Sequence, residues 1–181
     1  MKQTIQIIGG KYRGKKISFP NSQNLRPTPN RVRETLFNWL MYDIQGASCL
    51  DAFAGSGALG FEALSRGAKA VYLVEKQKAV YQNLCKSASM FGQDNLHILC
   101  GDANKYLQTN NTKFDIIFLD PPFNEELPND LIYHLTHGPQ LAPGGLLYIE
   151  YAKEHNLDTT YWQQLKSKIS GQVHYALYQK K

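Results

Sequence analysis

The sequence predicts an α/β protein with a doubly wound parallel sheet, preceded by a β-hairpin and a helix and closed by an antiparallel hairpin. Two observations carry this prediction. From residue 47 onward, apolar segments of strand length alternate with segments of helix length, which indicates parallel strands joined by helices. One strand segment, DIIFLD at 115–120, is almost wholly apolar, as is typical of a central strand buried on both faces.

The amino-terminal segment is predicted to be a basic β-hairpin. Strands at 4–8 and 12–19 flank the turn Gly9-Gly10. Residues 1–36 hold eight Lys and Arg residues and one acid, a local charge of +7, whereas the rest of the chain carries −2. Such a basic segment on a near-neutral body suits a polyanion, and a solvated face without a partner is the alternative. The candidate nucleic-acid contacts are Lys11, Arg13, Lys15, Lys16 and Arg31.

A helix is predicted to follow the hairpin. Thr28 and Pro29 resemble a helix cap and a first-turn proline, and apolar residues recur every four positions across 30–41. We therefore divide the chain into a basic extension, residues 1–41, and a main domain, residues 42–181.

The main domain is predicted to begin with four βα units. The four strands are predicted at 49–53, 70–75, 96–101 and 115–120. The helices that follow them are predicted at 58–66, 78–91, 103–108 and 131–135. A turn at LAPGG then precedes a fifth strand at 146–151, in a sheet of order 3-2-1-4-5. The chain ends with two strands, 162–170 and 172–180, hinged at Gly171, with a helix over 158–168 as the alternative.

Composition excludes several classes of protein. The 181 residues are 43% apolar and 19% charged, which is typical of one globular unit. No apolar run approaches the roughly 20 residues that span a bilayer, and the first residues lack the apolar stretch of a secretory signal. The three cysteines have no metal-ligand spacing, so we expect neither disulfides nor a metal, and a cytoplasmic location.

A glycine-rich loop between the first strand and the first helix predicts a cofactor site. Gly55, Gly57 and Gly60 form G-x-G-x-x-G, which allows a tight turn and close approach of a ligand to the backbone. Glu75 ends the next strand, where a carboxylate can accept both ribose hydroxyls of an adenosine.

Two further acids favour S-adenosyl-L-methionine over a dinucleotide. Asp51 lies on the loop side of the first strand and Asp102 follows the third, where carboxylates repel a pyrophosphate but attract a sulfonium and an ammonium. Asp102 can also accept the adenine amine, with the Ala103 N–H offered to a ring nitrogen. Either acid alone would more often be a loop cap.

The turn Asp120-Pro121-Pro122-Phe123 is the candidate catalytic motif, at the switch point of the sheet. Neither proline donates an N–H, so carbonyls of the turn can point into the cleft. The Asp120 carboxylate and the Pro121 carbonyl can hold the two hydrogens of an aromatic amine and aim its lone pair at a methyl donor. Phe123 can stack on the base. This positioning needs neither a metal nor a covalent intermediate.

These motifs resemble the class I adenosylmethionine-dependent methyltransferases, and among them the amino-methylating branch with an (Asp/Asn)-Pro-Pro-(Phe/Tyr) motif. IIGGKYRGKKI, LRPTPNRVRETLFNWL and LDAFAGSGALGFEALSRGA are similar to the ribosomal small-subunit methyltransferase D family. The resemblance extends over nearly the whole chain and implies a Rossmann-like sheet. It also implies methylation of the N2 amine of one 16S rRNA guanine, 966 in the family's numbering, in assembling or assembled small subunits.

Carried over to this chain, the resemblance assigns three groups of residues. The cofactor would contact Asp51, Gly55, Gly57, Glu75, Asp102 and Ala103. The base would contact Asp120, Pro121 and Phe123, with Pro122 in the same turn. Arg26, Pro27 and Thr28 match an Arg-Pro-Thr segment that borders the active site, and with the basic residues above they would face the RNA. We expect a monomer without a metal.

Three other functions remain open from the residues. A DNA adenine-N6 methyltransferase would use the same Asp-Pro-Pro-Phe turn, although the chain leaves little room for a DNA-recognition domain. A dinucleotide-dependent oxidoreductase would use the glycine loop but leaves Asp51, Asp102 and Asp120 unexplained. A catalytically inactive RNA-binding module is the third, and an intact acidic site argues against it. The choice of guanine over adenine rests on the resemblance.

Overall fold

The computed structural model describes residues 2–20, 27–122, 129–151 and 157–181. It begins with an antiparallel hairpin of β1 (Lys2–Gln6) and β2 (Lys16–Pro20). The second strand was predicted from residue 12, which is wrong for its first half, because residues 11–14 form a turn. Gly10 and Gly14 have φ angles of 75° and 86°, and the Gly14 N–H donates to the Ile7 carbonyl at 2.9 Å.

The helix α1 (Asn30–Trp39) follows and packs its apolar stripe against the sheet. Pro29 stands at its N-cap with no side-chain cap bond. The prediction that Thr28 caps this helix is therefore wrong, since α1 begins two residues later. The Thr28 hydroxyl is used in the candidate site instead.

The remaining helices and strands alternate as predicted. The strands are β3 (Ser48–Asp51), β4 (Ala70–Glu75), β5 (Leu96–Cys100), β6 (Phe114–Leu119), β7 (Leu141–Tyr151), β8 (Trp162–Ser170) and β9 (Val173–Lys180). The helices between them are α2 (Ala58–Ser65), α3 (Lys78–Ala88), α4 (Ala103–Thr109) and α5 (Asn129–His137).

These seven strands form one sheet in the order β5-β4-β3-β6-β7-β9-β8. The first five are parallel and β9 is antiparallel to both neighbours, which confirms the predicted order and the closing hairpin. The alternative helix over 158–168 is not formed, because β8 pairs with β9 from Trp162 onward.

The LAPGG segment is not the free turn that was predicted. It opens β7, where Leu141 pairs with Phe114 before the register shifts between Phe114 and Ile116. Leu141 is fully buried, so the irregularity keeps its side chain in the core while Gly144, at φ 82°, bends the strand.

Two apolar cores cover the two faces of the sheet. The amino-terminal residues Ile7, Phe19 and Leu36 share one core with Val71 and Ile116 of the sheet. The hairpin and α1 are therefore packed continuously onto the main sheet.

A buried carboxylate on α2 ties the hairpin to the sheet. Glu62 Oε2 and Oε1 accept from the Ile8 and Gly9 N–H groups at 2.9 and 2.8 Å. The same carboxylate pairs with Arg33 of α1 at 3.4 Å and with Arg66 at 2.8 Å. Arg33 and Glu62 have fully buried side chains, so each neutralises a charge that would otherwise be costly to bury.

Candidate active site at the carboxyl edge of the sheet

Four acids lie at the carboxyl edge of neighbouring parallel strands. Asp51 ends β3, Glu75 ends β4, Asp102 follows β5 and Asp120 follows β6. Carboxyl ends of parallel strands meet at one edge, and ligands of such sheets bind where the strand order reverses. That reversal falls between β3 and β6, beside Asp51 and Asp120.

The glycine loop between β3 and α2 is shaped by close packing. Gly55 and Gly57 have φ angles of 51° and 79°. A Cβ atom on Gly57 would lie 2.2 Å from the Phe61 ring, and one on Gly60 would lie 2.9 Å from Leu73. The glycines therefore let the loop turn and let α2 approach β4 closely.

Glu75 and Asp51 hold this loop in place. Glu75 Oε2 accepts from the Gly55 N–H at 3.0 Å, and its Oε1 accepts from the Gln77 N–H at 2.7 Å. Asp51 Oδ2 accepts from the Gly60 N–H at 3.0 Å. Each carboxylate oxygen accepts two hydrogen bonds, so the Glu75 carboxylate keeps capacity for ribose hydroxyls.

The Asp51 carboxyl is strongly perturbed. Its side chain is only 2% exposed. The pKa of Asp51 is raised to about 7, mainly by burial and also by the nearby charges of Asp120 and Glu75, against the opposing Gly60 hydrogen bond. A cation beside it would favour the ionised form, which fits the sulfonium and ammonium of adenosylmethionine.

Asp102 caps α4, as its position after a strand allows. Its Oδ1 accepts from the Asn104 and Lys105 N–H groups at 3.0 and 3.2 Å. Its Oδ2 lies 3.7 Å from the exposed Lys76 ammonium. Ala103 is the first residue of α4, and no carbonyl of that helix can reach its N–H, which suits the predicted contact with an adenine nitrogen.

Asp120 is joined to the amino-terminal segment by a hydrogen bond. The Thr28 hydroxyl donates to Asp120 Oδ2 at 2.9 Å. Burial raises the pKa of Asp120 to about 6, and the Thr28 bond opposes that shift. Pro121 is buried and Pro122 half-buried beside it, whereas Phe123 lies outside the described residues.

Sequence reasoning missed a fifth acid, Glu150 of β7. Because Leu119 pairs with Ile149, Glu150 is the neighbour of Asp120 across the strands. The Tyr148 hydroxyl donates to Glu150 Oε1 at 2.9 Å, and Glu150 is only 5% exposed. Burial and the charge of Asp120 raise the pKa of Glu150 well above its usual range. A lone acid in the apolar strand LLYIEY is the signal that could have identified it.

The predicted basic residues do not form one group: the Lys11 and Lys15 ammonium groups both lie near the Tyr12 ring, at 5.1 and 5.2 Å from its centroid. The Lys11 N–H donates to the Ser65 carbonyl, and the Tyr12 N–H donates to the Ser65 hydroxyl. Ser65 ends α2 on the amino side of the sheet, away from Asp120. Lys15 donates to the Met90 carbonyl and lies 4.7 Å from the Phe91 ring, so its ammonium has partners within the protein. Arg13 is exposed in the same turn.

Lys16 and Arg31 lie nearer the site. Lys16 shares a cavity of about 380 Å³ with Thr28 and Pro29. Arg31 is exposed on α1 two residues before the buried Arg33. Arg26 lies outside the described residues, so its predicted place beside the active site stays a prediction.

Within 2–20, 27–122, 129–151 and 157–181, no group of three His, Cys, Asp or Glu side chains could hold a metal ion. In the same part of the chain, no helix is long and apolar enough to cross a membrane.

The sheet order, the glycine loop and the acidic edge define a class I adenosylmethionine-dependent methyltransferase. The same fold occurs in a 16S rRNA N2 G1207 methyltransferase from T. thermophilus, solved with AdoMet and guanosine, at a TM-score of 0.70 and 21% identity over 100% of this chain and 50% of that one. A family model described as "Conserved hypothetical protein 95" matches residues 5–179.

Closer relatives identify the family within that class. Ribosomal RNA small subunit methyltransferase D of Escherichia coli K12 is 45% identical over 97% of this chain and 90% of its own length. A solved structure described as a putative methyltransferase from Escherichia coli has a TM-score of 0.90 and 43% identity, with 99% of both chains covered. The chain belongs to the ribosomal RNA small subunit methyltransferase D family.

Proposed function

We propose that this protein transfers a methyl group from S-adenosyl-L-methionine to the exocyclic N2 amine of one guanine, 966 in the family's numbering, in 16S rRNA. The observation that carries the proposal is the half-buried Asp120 carboxylate, held by Thr28 at the switch point of an acid-lined sheet edge. Family membership supports the choice of ribosomal RNA over DNA.

The predicted cofactor residues would each contact a different part of adenosylmethionine. Glu75 and Asp102 would hold the ribose and the adenine, with Ala103 beside the ring, and the glycine loop leaves room for the remainder. Asp51 would place negative charge near the cationic part of the ligand. When bound, adenosylmethionine supplies an electrophilic methyl group.

The base residues orient the acceptor. The amine of guanine is a weak nucleophile because its lone pair is delocalised into the ring. Asp120 and the Pro121 carbonyl would each accept one amine hydrogen, which aims the lone pair at the methyl carbon. The N–C bond forms as the S–C bond breaks, and the methylated nitrogen then gives up one proton. Asp120, whose pKa is raised to about 6, is a suitable acceptor of that proton. Phe123 would stack on the base and Pro122 would shape the turn.

The amino-terminal extension, residues 1–41, would face the RNA while residues 42–181 carry out the chemistry. Lys16 shares a cavity with Thr28, and Arg31 follows Thr28 by three residues. Arg26 would border the active site, and Lys11 and Arg13 would contact more distant parts of the small subunit. The protein would act as a monomer in the cytoplasm, on assembling or assembled subunits.

The acceptor can be tested with labelled adenosylmethionine and three polynucleotides: unmodified small subunits, naked 16S rRNA and duplex DNA. We expect label in RNA, with small subunits preferred. Transfer to DNA alone would overturn the proposal in favour of the adenine-N6 alternative. Adenosylhomocysteine should raise the melting temperature and NAD should not.

A further inference from the structure

We propose that a groove between α1 and the β8–β9 turn binds the ribose-phosphate backbone of the RNA strand next to the target guanine. This inference rests on the proposed function and adds a binding site to it. The groove has a volume of about 410 Å³, and its lining includes Arg31, Thr35, Lys168, Ile169, Ser170 and Tyr175.

The groove lies on the same edge of the sheet as the candidate active site. Tyr175 pairs with Glu150 across β7 and β9, and Glu150 is the strand neighbour of Asp120. Two strand spacings, roughly 10 Å, therefore separate the backbone at Tyr175 from that at Asp120. On the other wall, α1 begins two residues after Thr28, whose hydroxyl contacts Asp120. An RNA strand whose base enters the cleft would have to pass either this groove or the cavity that contains Lys16 and Thr28, on the other side of α1.

Charge separates the places where a base and a phosphate can lie. The cleft is lined by carboxylates, including Asp51 and Asp120, which repel a phosphate. The lining of the groove holds two exposed cations, Arg31 and Lys168, and no acid. Phosphates are therefore attracted to the groove, while the uncharged base can enter the acidic cleft.

The walls suit a sugar and a base edge as well as a phosphate. Tyr175 is 3% exposed and stacks on Trp39 at a centroid distance of 5.4 Å, so a packed aromatic pair forms the floor of the groove. Ile169 is 66% exposed at the rim, where its apolar side chain can cover a ribose or a base face. The cavity that contains Lys16 and Thr28 would receive the strand on the other side of α1.

The experiment compares two double variants that remove the same charge. Arg31→Ala with Lys168→Ala empties the groove of cations. Lys69→Ala with Lys113→Ala removes two exposed lysines that precede β4 and β6, on the opposite edge of the sheet. Binding of a short single-stranded RNA is measured by fluorescence anisotropy at several salt concentrations, and methyl transfer to unmodified small subunits is measured beside it.

We expect the groove variant to lose about 0.7 from the slope of log Kd against log salt for each phosphate contact removed. Its KM for small subunits should rise roughly tenfold with kcat within about twofold, since the reacting groups are untouched. The control variant should match the wild type in both.

The two proposals fail in different ways. If the wild-type protein methylates rRNA and both variants show the same slope and KM, the groove inference is wrong and the proposed function stands. If the wild-type protein binds adenosylhomocysteine but methylates no rRNA, the proposed function itself is wrong. An unchanged melting temperature of the groove variant shows that lost binding is not lost folding.

Discussion

The Thr28 hydroxyl donates a 2.9 Å hydrogen bond to the Asp120 carboxylate, across 92 residues of sequence. This bond joins the amino-terminal segment, which would face the RNA, to the group that would hold the reacting amine. It fixes one oxygen of Asp120 and leaves the second to the substrate. The amino-terminal segment and the turn after β6 therefore meet at a single side chain.

Asp120→Ala should abolish methyl transfer and leave cofactor affinity within a few fold. Loss of one preorganised hydrogen-bonding group in such a site lowers kcat by roughly 100-fold or more. Calorimetry with adenosylhomocysteine measures the cofactor affinity. A parallel loss of cofactor binding would show that Asp120 does not act on the acceptor base alone. Asp120→Asn is the control for charge: retained activity would mean that an oxygen acceptor suffices.

Thr28→Val should lower kcat by about 10- to 100-fold, because a hydrogen bond to a charged group contributes about 1.5–3 kcal/mol. The bond lowers the pKa of Asp120, so its loss should also move the acid limb of the pH-rate profile to higher pH. Thr28→Ser keeps the hydroxyl and should restore both. Equal activity of the Thr28→Val and Thr28→Ser variants would show that the Thr28 hydroxyl does not contribute to catalysis.

Binding of adenosylmethionine should release protons near neutral pH. The pKa of Asp51 is raised to about 7, so the free protein holds a proton there that a bound cation would displace. The affinity should therefore increase as the pH rises through 7. Calorimetry in buffers of different ionisation enthalpy measures the release. Asp51→Asn keeps an oxygen acceptor for the Gly60 N–H and should abolish most of the proton release. An unchanged proton release would show that another group loses the proton.

Glu62→Ala should lower the free energy of unfolding by about 3–5 kcal/mol, since it leaves the buried Arg33 without the carboxylate that pairs with its charge. The Ile8 and Gly9 amides should lose protection from hydrogen exchange first, because Glu62 is their acceptor. Urea unfolding measures the change in the free energy of unfolding. Glu34→Ala, on the exposed face of α1, is the control and should change stability by less than about 0.5 kcal/mol.

Gly57→Ala should impair folding and cofactor binding together, whereas Gly92→Ala should have a small effect on both. Both glycines have positive φ angles, 79° and 55°, so both alanines are strained by about 1–2 kcal/mol. Only at Gly57 would the new methyl group collide with Phe61, at 2.2 Å. Thermal melts with and without adenosylhomocysteine separate the two effects. Similar melting temperatures for the two variants would contradict the packing argument.

Much of the fold was predictable because it depends on local periodicity. Alternating strand and helix segments determine a parallel sheet, and its carboxyl edge necessarily collects residues such as Asp51 and Asp120. The boundaries were less predictable. LAPGG has the composition of a turn, yet Leu141 is drawn into β7 by burial, and Tyr12 has a strand former's side chain but lies in a turn.

The contacts within the site were not predictable in the same way. Thr28 looks like a helix cap in the sequence, and only the packing of α1 against the sheet turns its hydroxyl toward Asp120. Charge counts cannot separate Lys15, which is held by Met90 and Phe91, from the exposed Arg31. These distinctions depend on long-range packing that one sequence does not encode in its local pattern.

The identity of the methylated nucleoside tests the proposed function most directly. Unmodified small subunits are incubated with labelled adenosylmethionine and either the wild-type protein or Asp120→Ala, then digested and analysed by mass spectrometry. The proposed function predicts N2-methylguanosine at one position with the wild-type protein and none with the variant. N6-methyladenosine, or undiminished N2-methylguanosine from the variant, would contradict it.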